Sequence, residues 1–554
     1  MRAMKITGPG AAIVALLGVI TAVPASSISA APGERGATLV AHAGLAVVGT
    51  VNGQVQGFVR QGVMTWRGIP YARADRFMPP HAPERWPGVR PALSYGNICP
   101  QPVSSELREP QTFISDTHYW PASEACQNVN VWSPAADGKK RPVMVWLHGG
   151  GFFSGSSNEL GVYDGTNLAK KGDVVVVSLN HRLNSLGFMD LSAYGPQYAG
   201  SANVGMLDIV AGLQWVRDNI AQFGGDPDNV TIFGQSGGGA KVTALLGSPL
   251  AKGLFEKAVI QSGAPGGFGP AALDQATARR VAAVTLANAG LGANDVGKLA
   301  KLPYEALVAA SDKARRQVSA EQNKGGAPLG FPTVNWSPVV DGRFLTEAPF
   351  AAGAPAVSKG VPLMVGSTLS EFGNFPNPMI AGHEHWNEAD ALAWLRKTRG
   401  PQADASAAAY KKAYPSLAPS VWPTIDTGLR GAVLRTAAAK ATQGDPVYTY
   451  LFAWRSPVLD YTWAAGHSSE IGLVFANPDQ EEQALGGGPV VDRLADEMSS
   501  AWIAFARAGD PNARGVPRWP RYTAQQPATL VFDTNSEARI GHDADLVRLS
   551  APPR

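Results

Sequence analysis

With 554 residues, a formal net charge of +3, and 45% hydrophobic against 16% charged residues, the chain can bury a large core. Its positive charges are dispersed, with no basic cluster to hold a nucleic acid. Beyond the N-terminus no apolar run reaches the roughly 18 residues needed to cross a bilayer, so no stable membrane insertion of the mature protein is expected.

The N-terminus is built differently. Arg2 and Lys5 precede a largely apolar stretch from Ala11 to Val23, and the small-residue sequence Ser26-Ser27-Ile28-Ser29-Ala30-Ala31 follows. This is the three-part layout of a signal peptide over residues 1–30, with cleavage expected near Ala30. The apolar core is short for a retained anchor and nothing acts as a stop-transfer. No Arg pair precedes it, which favours the general secretory route and a secreted or periplasmic product. Residues 31–554 are then read as one domain. In an exported protein the only two cysteines, Cys99 and Cys126, imply one disulfide. No histidine lies close to either in sequence, so neither a metal site nor a reactive thiol is expected there.

Leu45–Thr50 and Gly53–Val59 are β-branched and Gly-punctuated, and predict a β-hairpin. Pro79-Pro80 and Pro83 mark a surface loop, and Val129–Trp132 a strand. Val143-Met144-Val145-Trp146-Leu147 is a continuous apolar run of buried-strand length. It empties into His148-Gly149-Gly150-Gly151-Phe152, whose consecutive glycines leave unhindered backbone N–H groups, the pattern of an HGGG-type oxyanion loop. Val174–Ser178 is another buried strand. Met206, Ile209, Val210, Leu213, Val216 and Ile220 share one face of a helix predicted over Asn203–Ile220.

Val230-Thr231-Ile232 then reads as a strand and Ala240–Leu246 as a helix, with Phe233-Gly234-Gln235-Ser236-Gly237-Gly238-Gly239 between them. Gly234-x-Ser236-x-Gly238 is a nucleophile-elbow pattern. A serine at the tip of a sharp strand-to-helix turn sits in strained backbone, and neighbours without side chains let the two arms pass closely. The helix N-terminus behind it offers free N–H groups and a positive dipole end to an oxyanion. These alternations predict a mostly parallel sheet with helical crossovers. Further on, Leu273–Leu291 is helical, Gly325–Pro332 a loop and Val361–Gly366 a late sheet strand. Trp386–Thr442 is helical with Pro and Gly breaks, a candidate cap; Val447–Trp454 contains a strand, and Glu497–Ala508 is an amphipathic helix.

A serine hydroxyl needs an adjacent base, and that base an orienting carboxylate. Of the nine histidines, His42, His81 and His118 precede most of the predicted strands. His148 opens the oxyanion loop and His181 shapes a turn after a strand. His383 and His385 flank Glu384 without a third metal ligand, which reads as a solvated loop, and His542 is near the C-terminus. His467, in Gly466-His467-Ser468-Ser469-Glu470, follows the serine in a Gly-hinged loop, as hydrolase chain order requires. For the acid, Glu371 lies just past a strand end, with Asp341 and Glu347 as rivals.

The sequence resembles the type-B carboxylesterase and cholinesterase family of α/β-hydrolases from about Val47 to its end. Gly68-Ile69-Pro70-Tyr71-Ala72, the glycine loop, Asn180-His181-Arg182-Leu183, Gly224-Gly225-Asp226-Pro227, the elbow and Phe505-Ala506-Arg507-Ala508-Gly509-Asp510-Pro511 carry the likeness. The resemblance implies an α/β-hydrolase fold, a mostly parallel central sheet flanked by helices with helical cap insertions. It implies a triad of Ser236, Glu371 and His467, oxyanion donors at Gly150, Gly151 and Gly237, and a Cys99–Cys126 bridge. The expected partner is a small-molecule ester cleaved through an acyl-enzyme, with no metal or organic cofactor. The alternatives are a non-catalytic adhesion protein on the same scaffold, against which all three triad residues argue, a lipase, and a serine peptidase. Two departures stand out. Where the family elbow reads Gly-Glu-Ser-Ala-Gly, Gln235 replaces Glu and Gly237 replaces Ala, removing a charge and loosening the turn. The family's choline-binding aromatic is not evident.

Overall fold

The apolar runs become the middle of one large sheet in the computed structural model, which describes residues 46–102, 117–118, 120–267, 271–322, 333–372, 382–461 and 464–550. The expected signal segment and the Gly325–Pro332 loop lie outside them. In chain order the strands are β1 (Val47–Thr50), β2 (Gly53–Gln56), β3 (Phe58–Arg60), β4 (Val63–Pro70), β5 (Val89–Pro91), β6 (Asn128–Ser133), β7 (Arg141–Leu147) and β8 (Val175–Leu179). There follow β9 (Gly225–Gln235), β10 (Lys257–Gln261), β11 (Leu273–Asp274), β12 (Val339–Val340), β13 (Leu363–Thr368), β14 (Val447–Phe452), β15 (Ala528–Phe532) and β16 (Glu537–Ile540). Eleven of them form a sheet in the order β16-β15-β14-β13-β10-β9-β7-β8-β6-β4-β3. The run from β15 to β8 is parallel, and antiparallel strands close both edges.

Alternate side chains serve opposite faces of a strand. Val143, Val145 and Leu147 of β7 join Val177, Ile232, Ile260 and Val365 in one apolar cluster. Met144 and Trp146 join Val176, Phe233, Val259 and Met364 in the other. Both faces are covered, so Val143–Leu147 of β7 and Val175–Val177 of β8 are unbroken apolar runs. On the second face Trp146 packs against Tyr163, Phe233 and Phe475, with ring centroids 5.0–5.1 Å apart.

The N-terminal hairpin is β1–β2, with Thr50 opposite Gly53. Phe58 and Val59, expected in its second arm, instead belong to β3 in the large sheet. The helix expected from Glu497 starts at Pro489, because Val491, Leu494 and Ala495 extend the apolar stripe of Met498, Ala501, Trp502 and Phe505. Gly509, at φ 71°, ends it. The candidate cap segment divides: Glu388–Arg399 and Ala403–Ala413 pack on each other, whereas Thr427–Ala441 lies on β13 and β14 as their crossover helix. Cys99 and Cys126 are disulfide-bonded and buried against Leu183.

Candidate active site

Gly150, Gly151, Ser236, Gly237 and Glu371 lie just beyond the C-terminal ends of the parallel strands β7, β9 and β13, and His467 lies on the long loop after β14. β9 ends at Gln235, and the chain turns through Ser236 straight into the helix Gly237–Gly247. Ser236 has φ 57° and ψ −122°, a combination that costs a side-chain-bearing residue about 1–3 kcal/mol. The turn is held by Ser236 N donating to Gln261 O (2.8 Å) and Ala240 N donating to Ser236 O (2.9 Å). A Cβ on Gly234 would stand 2.6 Å from the carbonyl carbon of Gly238 and from Leu147 O, and one on Gly238 would overlap Leu147 O. The elbow thus needs its glycines because β7 passes directly beside it.

The loop after β7 folds back over the serine. The Cβ direction of Gly149 ends 3.8 Å from Ser236 Cβ, and a Cβ on Gly237 would overlap the backbone of Gly151. Gly150 and Gly151 have φ 77° and 61°. Gly150 O accepts from Ser154 N at 3.0 Å and Phe153 N at 3.3 Å, closing a tight turn. His148 Nδ1 donates to Gly149 O at 2.9 Å, and its ring stacks on His181 with centroids 5.0 Å apart. Burial pushes both imidazoles well below their ordinary range, so both are neutral.

β13 ends at Thr368, and Leu369-Ser370 lead to Glu371, whose carboxylate is wholly buried. Ser370 pairs with Gly466, and His467 N donates to Glu371 O at 2.9 Å, so the two loops are stitched together at this point. His467 Nδ1 donates to Glu371 Oε2 at 2.5 Å. The other carboxylate oxygen accepts from Ser262 Oγ (2.7 Å) and Thr368 N (2.8 Å). With both oxygens engaged, the carboxylate has little freedom to turn away from the imidazole.

Two further groups border the imidazole ring. The Gln235 amide nitrogen is 3.3 Å from His467 Nε2 and 3.4 Å from Nδ1, and its oxygen accepts from Ser468 Oγ at 3.1 Å. The Phe372 ring centroid is 4.4 Å from that of His467. Behind them is Glu470, fully buried, 3.4 Å from both Gln261 Nε2 and Tyr450 Oη. Burial, then the Glu371 charge, push its carboxyl up to about 7. The same two causes push Asp426 up to about 6. Glu371 is the carboxylate that meets the imidazole, and Glu470 and Asp426, both raised by burial, lie nearby.

The rivals have other work. Asp341 caps a turn, accepting from Arg343 N, Phe344 N and Asn203 Nδ2 at 2.8–2.9 Å, and Glu347 is exposed. His81 and His118 are exposed, and His383 Nδ1 donates to Ser420 O at 2.9 Å. Ser262 was not legible as a site residue because β10 is five residues long and starts with Lys257. The available signal was Ala258-Val259-Ile260 running into Gln261-Ser262-Gly263, a short apolar run ending in polar residues and glycine.

Comparison with known proteins extends the likeness over almost the whole chain. A family model described as the carboxylesterase family matches residues 44–547. The para-nitrobenzyl esterase of Bacillus subtilis is 36% identical over 506 residues, 90% of this chain and 96% of its own. Phenmedipham hydrolase of Pseudarthrobacter oxydans is 35% identical over 87% of this chain and 94% of its own. Among solved structures, an esterase from Clostridium hathewayi superposes with a TM-score of 0.83 at 38% identity, covering 93% of this chain and 99% of its own. The chain belongs to the carboxylesterase family of α/β-hydrolases, and the protein is a carboxylic ester hydrolase.

Proposed function

We propose that this carboxylesterase is an exported serine esterase working through Ser236, His467 and Glu371. The observation that carries the reading is the 2.5 Å contact between Glu371 Oε2 and His467 Nδ1, on loops that meet beside the strained serine elbow. A carboxylate accepting from Nδ1 fixes the tautomer and makes Nε2 the nitrogen that takes a proton. Ser236 Oγ attacks the ester carbonyl as Nε2 removes its proton, and Glu371 stabilises the imidazolium. The carbonyl oxygen becomes an oxyanion held by the N–H groups of Gly150, Gly151 and Gly237. Such donors, aimed in advance at developing charge, are worth about 3–4 kcal/mol each. His467 returns the proton to the leaving alcohol. It then activates a water that releases the acid from the acyl-enzyme. The substrate is a small-molecule ester, and the signal-peptide layout of residues 1–30 supports a secreted or periplasmic location.

The test is a panel of chromogenic esters of graded acyl length, run on wild type and Ser236→Ala, with fluorophosphonate labelling followed by peptide mapping. Ser236→Ala is expected to stay folded, to lose several orders of magnitude in kcat/KM, and to take no label at this position. Undiminished turnover in that variant overturns the reading.

A further inference from the structure

Five residues beyond Ser236, inside the elbow helix, stands Lys241, whose side chain is wholly buried. The only charge in Gly237–Gly247 is thus in the interior rather than in water. Its ammonium donates to two backbone carbonyls of the glycine loop, His148 O at 2.8 Å and Gly149 O at 3.3 Å. It also stands over the Phe152 ring, 5.7 Å from the centroid. The groups facing it are the neutral rings of His148 and His181 and the half-buried carboxyl of Glu159. Burying an ammonium is expensive, and burial draws this one down to about 7 despite Glu159. A lysine used merely to fill space would be replaced at no loss by methionine, whereas this one spends its protons on the two carbonyls that precede Gly150.

Peptide planarity gives those carbonyls a consequence. In a trans peptide unit the C=O and the following N–H point in opposite directions. Drawing Gly149 O down onto Lys241 Nζ and His148 Nδ1 turns Gly150 N–H the other way, to the outer side of the loop. Drawing His148 O down does the same to Gly149 N–H. The loop lies against Ser236, and Gly151 abuts Gly237. Gly150 and Gly151, both at positive φ, have no side chain to hold the loop in this orientation, so Gly149 O is anchored by His148 from within the loop and by Lys241 from outside it.

We propose that Lys241 is a positioning residue for the oxyanion hole: by anchoring the His148 and Gly149 carbonyls it aims the Gly150 N–H at the oxygen that becomes charged on Ser236. The proposal rests on the reading of Gly150, Gly151 and Gly237 as the oxyanion donors. Lys241 never meets substrate. It acts through the backbone, and its positive charge polarises the peptide units it holds, which strengthens their N–H groups as donors.

The experiment compares wild type with Lys241→Met and Lys241→Gln, the second retaining a neutral donor. Active sites are counted first by fluorophosphonate titration, so that unfolded molecules do not enter kcat. The readouts are kcat and KM on one chromogenic ester, and the inhibition constant of a trifluoromethyl ketone, which forms a tetrahedral oxyanion on the serine. Lys241→Met is expected to lose roughly 10–100-fold in kcat and a similar factor in ketone affinity, with KM nearly unchanged. Lys241→Gln should fall between it and wild type. Loss of one whole donor costs about 10²–10³, the ceiling for a misaimed one. Ketone affinity equal in all three proteins, or a loss confined to KM, overturns the proposal. Ser236→Ala in the same assay separates the two readings: if it keeps turnover, the serine mechanism itself has failed, whatever Lys241 does.

Discussion

Ser262 donates its hydroxyl to Glu371 Oε1 at 2.7 Å, on the side of the carboxylate opposite His467. Ser262 has φ 49° and its N–H is held by Gly366 O at 2.9 Å, so the strands β10 and β13 set the hydroxyl in place. A hydrogen bond to a charged group contributes about 1.5–3 kcal/mol. Thr368 N remains as a donor to the same oxygen, so Ser262→Ala is expected to weaken the site rather than abolish it. A fall in kcat of roughly 10-fold with KM little changed is the predicted result, read by steady-state kinetics. Unaltered kcat shows that Thr368 N alone holds the carboxylate.

Glu371→Gln keeps the shape and loses the charge that fixes the imidazole. Amide replacement of the orienting carboxylate lowers turnover on the order of 10⁴ in a well-studied triad, and 10³–10⁴ is expected here at neutral pH with little change in melting temperature. Glu371→Asp should retain more, since it keeps the charge with one methylene less reach. Asp341→Asn should leave turnover near wild type, since Asp341 holds a turn instead. The opposite pattern reassigns the acid.

Gly237→Ala restores the residue usual in the family elbow but adds a Cβ where the Gly151 backbone already stands. The glycine loop has to move for it to fit. A loss of kcat on the order of 10-fold or more is expected, with ketone affinity falling in parallel. Wild-type kinetics in this variant show that the loop shifts without harm to its donors.

The Cys99–Cys126 bridge spans 27 residues of sequence. Closing a loop of that length in the unfolded chain is worth about 3.5 kcal/mol. The Cys99→Ser, Cys126→Ser double variant is expected to melt several degrees lower with unchanged kcat per active site, measured by calorimetry and active-site titration. An unchanged melting temperature removes the bridge from the list of stabilising features.

Glu481 is pushed up to about 8 by burial, while one oxygen accepts from Gly472 N at 3.1 Å. A carboxyl raised on folding binds a proton that the unfolded chain releases from about pH 4.5 upward. Stability therefore falls as pH rises between about 4.5 and 8, and the contribution is constant above that window. Glu159 and Glu470, both raised to about 7, act in the same direction. Lys241, lowered to about 7, acts in the opposite direction at higher pH. In Glu481→Gln the difference in melting temperature between pH 5 and pH 8 should shrink. An identical difference in both proteins shows that Glu481 is ionised throughout.

Local chemistry made the elbow, the glycine loop and the buried strands legible. A turn with positive φ at a serine selects glycines around it, and strands covered on both faces select unbroken valine and isoleucine. Chain order and the resemblance pointed to His467 and Glu371, but the residues alone left Asp341 and Glu347 open as acids. The tertiary structure shows that Glu371 is the one that contacts His467, because a carboxylate's partner is set by which strand ends lie side by side, and β13 and β14 are adjacent despite about 80 residues between them. The same holds for Ser262, Gln235 and Lys241. Each carries an ordinary polar group whose role depends on what faces it across the sheet end, and that placement comes from packing distant segments, which no short stretch of sequence encodes.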